Sequence, residues 1–220
     1  MPKKILQLYH EAIGRMSISA DADIESIRRR IIRSEFNDLE ASPETLARIA
    51  ERDEDWAGQA FDDLRMTRFI ITNWAEFVWY RPAASSLDDI MAQLAAMEAT
   101  AIVRLSSMEC APAMPTIRRL ADAFMMQADG EDAIAATLAN QRLMLAIVSA
   151  THQHRLIEDY VKLASPATAY AAASRIGEPE LGCMKRSAEE LVSLIGTRSV
   201  QGCAAEAVAM RLHPLQPALS

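Results

Sequence analysis

Turn-forming residues are scarce in this chain. Seven glycines and nine prolines are spread over 220 residues, against 39 alanines. Sandwiches, barrels and glycine-looped dinucleotide folds need frequent turns with special backbone angles, so the composition excludes them and points to helix. Aromatics are few, at 5%, yet half the residues are hydrophobic, enough to bury a sizeable core. Positive charge is also in deficit: 23 Lys and Arg face 30 Asp and Glu, a net of −7. Such a chain is not drawn non-specifically to nucleic acid or to an anionic membrane, although a local basic patch stays open.

Other signals are missing too. Three cysteines (Cys110, Cys183, Cys203) are odd in number and lack CxxC spacing, so neither a disulfide framework nor a zinc knuckle is indicated. Reduced thiols in a cytoplasmic protein are the plain reading. Lys3 and Lys4 precede an apolar stretch that His10 and Glu11 interrupt before a signal-peptide core forms. The best apolar run, Leu143 to Ala150, is far short of the ~20 residues of a membrane span. No membrane partner is expected. GxSxG, P-loop and HExxH motifs are absent, so no catalytic residue is assigned and no enzyme activity is expected.

What is present is helical periodicity with clear breaks. A first helix is expected over Ile5 to Met16 and a second over Ile24 to Ser34, apolar at Ile24, Ile27, Ile31 and Ile32. Ser42-Pro43-Glu44 reads as a cap, a first-turn proline and a favourable acid. Leu46, Ala47, Ile49 and Ala50 then face inward, Arg52-Asp53-Glu54-Asp55 reads as a turn, and a further helix runs to about Thr67. Phe69 to Thr72 and Phe77 to Tyr80 are β-branched and aromatic runs flanking Asn73 to Glu76, which suggests a hairpin. Helices followed by a hairpin give a winged helix-turn-helix, or a helical cap with an incidental hairpin. Arg81-Pro82 marks a boundary, giving an N-terminal unit over 1–82 and a second over 83–220.

Beyond Ser86 the pattern is helix throughout. Leu87–Met108, Thr116–Gln127, Asp132–Ala150, Arg155–Ala164, Pro166–Arg175, Leu181–Ile195 and Val200–Leu212 are separated by Pro112, Pro115, Gly130, Pro166, Gly177-Glu178-Pro179 and Gly196. The fold class expected is mainly α: an N-terminal winged helix-turn-helix with a small β-hairpin, and a C-terminal antiparallel bundle of six or seven helices. His152-Gln153-His154 falls at a helix junction, where two residues so spaced diverge on a helix and do not share a metal. Asp88-Asp89 and Glu189-Glu190 fall near expected helix starts, where acids are favourable. The 12 methionines are scattered, as core filling would be.

This layout resembles the GntR family of bacterial transcription regulators, in its FadR-like branch with a helical C-terminal effector domain. The residues carrying the resemblance are Ile27-Arg28-Arg29-Arg30-Ile31-Ile32-Arg33-Ser34-Glu35-Phe36, Glu44-Thr45-Leu46-Ala47, Ala60-Phe61 with Leu64, Met97-Glu98, Leu120, and Ala209-Met210-Arg211-Leu212-His213. It implies a cytoplasmic homodimer that binds DNA through the winged helices and a small organic effector through the bundle.

The departures from the family pattern are chemical. Where its recognition helix opens with Ser-Arg-Thr-Pro-Val-Arg, this chain has Asp53-Glu54-Asp55-Trp56-Ala57-Gly58. Carboxylates repel a phosphate backbone, and no arginine there can pair with guanine. Residues 1–82 carry 12 basic and 15 acidic side chains. The remaining candidates for DNA contact are Arg28, Arg29, Arg33, Arg48, Arg52 and Gln59; solvated helix faces paired with nearby acids explain the arginines equally. The family's metal-binding Asp and His align with Asn140 and Met144, and its later His pair with Leu191 (beside Glu190) and His213. An amide, a thioether and a leucine are poor ligands, so no metal and no other cofactor is expected. The family's effector-contacting arginine aligns with Leu94. Asn140, Met144, Glu190 and His213 are the effector-binding candidates, and Leu138, Asn140, Met144 and Ile147 form either a cavity wall or plain core.

Overall fold

The computed structural model describes residues 13–14, 18–106, 112–130 and 132–197. Most of the expected first helix, Cys110, Cys203, the expected last helix over Val200–Leu212 and His213 lie outside the described residues. The described chain is mainly helical with one small antiparallel hairpin.

The first described unit is built by its caps. Helix α1 spans Ala22–Ile32; the Asp21 carboxylate accepts the backbone N–H groups of Asp23 and Ile24, and Ile24, Ile27 and Ile31 face inward. Helix α2 spans Pro43–Ala50, with Ser42 capping Thr45 N–H and proline in the first turn, as the sequence indicates. Helix α3 spans Glu54–Met66 and begins inside the stretch that reads as a turn. Asp53 caps Trp56 N–H, so Glu54 and Asp55 form the first helical turn. A run of acids is as much a helix-start signal as a turn signal.

Strand β1 (Ile70–Asn73) pairs with β2 (Glu76–Trp79), Ile70 opposite Trp79 and Asn73 opposite Glu76. The loop is therefore only Trp74-Ala75, and Trp74 takes a left-handed φ of 57° where such hairpins usually place glycine or asparagine.

Six further helices follow: α4 Ala84–Ser106, α5 Met114–Ala128, α6 Ala133–Ala150, α7 His154–Leu163, α8 Pro166–Ala173 and α9 Glu178–Thr197. The Gly177-Glu178-Pro179 break lies at the start of α9, with its proline in the first turn. Glu189 and Glu190 consequently sit in mid-helix, not near a helix start as their spacing suggested. Asp88 and Asp89 fall beyond the first turn of α4, and Asp88 pairs with Arg175. His152 has a left-handed φ of 57° between α6 and α7, while His154 opens α7 and lies 3.4 Å from Glu158.

Helix α6 is the centre. It packs against α4, α5, α7 and α8, and it is the one described helix long and apolar enough to cross a membrane. It is also 72% buried within the fold, so its apolarity is accounted for by core packing on every side.

Two hydrophobic clusters hold the chain. One joins Leu94, Ile102, Ile117, Phe124, Leu143, Met144, Ile157, Leu191 and Ile195. The other joins Ile27, Phe36, Leu46, Leu64 and Phe69 to Leu138, Ala167 and Tyr170 from the bundle. Leu138 thus packs with the winged unit and does not share a wall with Asn140 and Met144. The same seam carries an edge-on contact of Phe69 with Tyr170 (5.0 Å between centroids), and hydrogen bonds from Ala167 N–H to Thr67 O (3.3 Å), Tyr170 Oη to Glu25, and Arg68 to Lys162 O.

Candidate nucleic-acid interface and effector pocket

The winged unit presents α3 outward. Ala57, Ala60, Phe61 and Leu64 are buried against α1 and α2, while Glu54, Asp55, Gln59, Asp62, Arg65 and Met66 remain exposed. At the hairpin tip Trp74 is 98% exposed, and Phe77 behind it meets Phe61 edge-on at 5.1 Å. Arg65 lies over Phe77 at 4.8 Å, which holds one guanidinium between helix and wing.

The six DNA candidates separate sharply. Arg28 is a correction: it is wholly buried, donating to Asp63 Oδ2 at 2.5 Å and to Ser19 O at 3.1 Å, so it braces α1 against α3 and is not offered to a phosphate. Its Nε is buried without a partner. Arg29 donates to Glu25 at 2.7 Å on the same helix. Arg52 grips Asp23 through Nε and Nη2 at 2.8 and 2.6 Å, which raises its pKa further. Arg33, Arg48 and Gln59 are exposed, and among the described residues the two arginines have no ion pair. Nearby acids thus pair three of the five arginines, Arg29 on its own helix and Arg28 and Arg52 with acids distant in the sequence.

Beside β2, a cleft of about 850 Å³ runs between the 37–43 segment and the hairpin. Its walls include Phe61, Phe77 and Trp79, its carboxylates are Glu40 and Glu76, and no basic side chain lines it. Trp79 donates its indole N–H across to Leu39 O at 2.9 Å.

The effector candidates separate as well. Met144 has no exposed surface and Asn140 is 1% exposed, both on α6. Asn140 Oδ1 is buried without a partner, as are Gln141 Oε1 and Ser149 Oγ on the same helix. Such orphaned groups cost energy unless water or a ligand meets them. Glu190 is a correction: it is exposed, and its neighbour Leu191 takes the buried position. His213 lies outside the described residues. Nearby, Tyr160 Oη on α7 donates to the buried Glu98 on α4 at 2.8 Å, a polar link that periodicity cannot distinguish from core.

The metal that the resemblance implies meets poor donors at the aligned positions: Asn140 offers an amide, Met144 a thioether and the buried Leu191 none, while His213 lies outside the described residues.

Sequence reasoning missed one place altogether. An open cleft of about 570 Å³ lies where α1 meets the start of α6 and the end of α8, with Arg29 and Arg33 on one side. The arginine run was visible, but which face of α1 meets the bundle is a tertiary fact.

Comparison with known proteins places this geometry. No protein-family model matches the chain, and no curated protein matches it in sequence. Several solved structures are similar, two of which follow. E. coli McbR/YncC is 13% identical with a TM-score of 0.58, the match covering 98% of this chain and 96% of that one. Lar, which controls the expression of the Listeria monocytogenes agr system and mediates virulence, is 11% identical with a TM-score of 0.66, over 90% of this chain and 96% of Lar. At these identities the likeness is one of fold alone, a winged helix-turn-helix joined to a helical bundle.

Proposed function

We propose that this chain is a DNA-binding transcription regulator, of the FadR-like branch of that fold, which works as a homodimer and answers a small organic effector. The observation that supports this best is α3, which buries one face in the winged unit and leaves the other uncovered beside an exposed wing tip. That is the disposition of a recognition helix. Arg48 and Gln59 are then the contacts to DNA, with Arg65 between helix and wing, and the exposed acids in the first turn of α3 weaken the hold on nearby phosphates. The effector meets the orphaned Asn140 carbonyl beside Met144 in the bundle, and shifts the dimer between two spacings of its recognition helices.

A second reading is favoured by the exposed acids Glu54 and Asp55 and by the acidic, aromatic cleft at β2. In it the same fold binds a ligand or a protein and no longer binds DNA. Mobility-shift titration with DNA from upstream of the coding region, at low and high salt, separates the two. Sequence-selective, salt-sensitive binding supports the regulator; no shift at low salt removes it.

A further inference from the structure

We propose that the cleft between α1 and the adjoining ends of α6 and α8 binds a small organic anion with an aliphatic body, and that its occupation ties the winged unit to the bundle.

The cleft, about 570 Å³, is of the size that small ligands occupy. Arg29 and Arg33 stand one helical turn apart on α1 and both line it. Arg29 is held by Glu25 through its Nε. Among the described residues Arg33 has no partner. A guanidinium that has no ion pair and stands over a cleft is a ready partner for a carboxylate ligand, bound by charge-assisted and often bidentate hydrogen bonds.

Among the described residues the one carboxylate that lines the cleft, Asp132, is already committed, and so is Glu25 on α1 itself. Asp132 caps α6, accepting from Ile134 and Ala135 N–H at 2.9 and 3.1 Å. Glu25 is engaged by Arg29, Arg28 and the Tyr170 hydroxyl, whose pKa is pushed up by burial and by that carboxylate. The apolar part of the lining includes Ile32 from α1, Ile134 from α6 and Ala173 from α8, with the Tyr170 and Ser174 hydroxyls already donated to Glu25 and to Ala171 O. A charged head at Arg33 with an aliphatic body against these three matches the cleft on both counts.

Because the walls come from α1 on one side and α6 and α8 on the other, a ligand there contacts both units at once. It favours the arrangement in which they are apposed, by as much as it prefers that arrangement. Two arginines that sequence alone assigns to DNA become the anion's anchors, in a place separate from the interior positions of Asn140 and Met144.

The test is thermal unfolding of the full chain titrated with hexanoate, with hexylammonium and inorganic phosphate as parallel probes. Hexanoate is expected to raise the midpoint with increasing concentration, and hexylammonium is expected not to. Arg33→Gln should weaken the hexanoate response roughly tenfold or more, the loss of a charge-assisted pair. Ser174→Phe, at an exposed position lining the cleft, should weaken it by filling the space. Arg155→Gln, the same charge change on α7, should leave it intact. No rise with hexanoate, an equal rise with phosphate, or unchanged responses in both R33Q and S174F would each overturn the proposal. DNA plays no part in the readout, so this result and the mobility shift fail independently.

Discussion

Arg28 Nη2 and Asp63 Oδ2 meet at 2.5 Å, binding the middle of α1 to α3 beneath the exposed face of α3. Arg28 is the largest fully buried side chain in the molecule's described part, and Phe69 lies 6.0 Å beyond its guanidinium. Removing the buried Arg28 strands Asp63, a carboxylate only 20% exposed. Arg28→Ala is therefore expected to cost about 3–5 kcal/mol. Arg33→Ala, the same loss of charge at an exposed position one turn further on, should stay within about 0.5 kcal/mol. Urea unfolding of the two variants side by side reads this contrast, and equal stabilities would refute the bracing role.

Asp21 does two jobs. One oxygen caps α1 and the other accepts the Trp56 indole N–H at 2.9 Å, so a single residue links the starts of α1 and α3. The Trp56 hydrogen bond, followed by the Ile24 N–H, holds its carboxyl below the usual range. A folded-state pKa below the unfolded one means that the stabilisation is complete above about pH 4 and is lost as pH falls through the folded value. Asp21→Ala should cost about 1–2 kcal/mol at neutral pH, as lost caps do. Asp21→Asn keeps the cap and should flatten the acid limb of the stability curve. Chemical denaturation at stepped pH, with Trp fluorescence as readout, measures both.

In the bundle, Met144→Ala removes a fully buried side chain from the central helix and should cost about 2–5 kcal/mol. Asn140→Leu should behave oppositely. It replaces a carbonyl that has no partner with an apolar group of similar size, so stability should hold or rise. If that carbonyl meets the effector, the same variant loses the effector's influence on DNA binding. A stable Asn140→Leu protein that still responds would move the effector site away from α6.

Much of the fold was legible because its signals are local. Ser42-Pro43 caps and starts α2, Pro166 starts α8, and the apolar spacing of Ile24, Ile27 and Ile31 turns the correct face of α1 inward. The hairpin showed itself through Ile70, Ile71, Phe77 and Val78, although its loop proved shorter than the sequence suggests. The start of α3 was misread because Asp53, Glu54 and Asp55 suit both a turn and a helix cap. The site was less legible. Arg28, Arg29 and Arg33 are the same residue type within six positions, yet one is interior, one is paired on its own helix and one stands over a cleft. The pairing with Glu25 is local, four residues back on the same face, but the other two fates depend on Asp63 and α6, which lie across the fold. Glu190 and Leu191 show the same limit, since adjacent residues exchange inside and outside with a small rotation of α9.

The acidic opening of α3 provides the sharpest test of DNA binding. Glu54 and Asp55 are exposed in its first turn, where they stabilise the helix dipole and repel a phosphate backbone. Asp53 has a separate structural task, capping Trp56 N–H at 2.8 Å, and is left in place. In the doubly neutralised variant Glu54→Gln/Asp55→Asn, each lost repulsion contributes at most about 1 kcal/mol across water, or roughly fivefold in affinity. DNA affinity at low salt should therefore rise several-fold, most strongly where screening is weakest. Helix stability should fall by only a few tenths of a kcal/mol per residue, about what an exposed dipole interaction contributes. Anisotropy titrations of labelled upstream DNA across a salt series, run on both proteins, read the two effects apart. Tighter binding that vanishes with added salt places the first turn of α3 against the phosphates. Unchanged affinity at every salt concentration places DNA elsewhere on the molecule and leaves Arg48 and Gln59 without their proposed role.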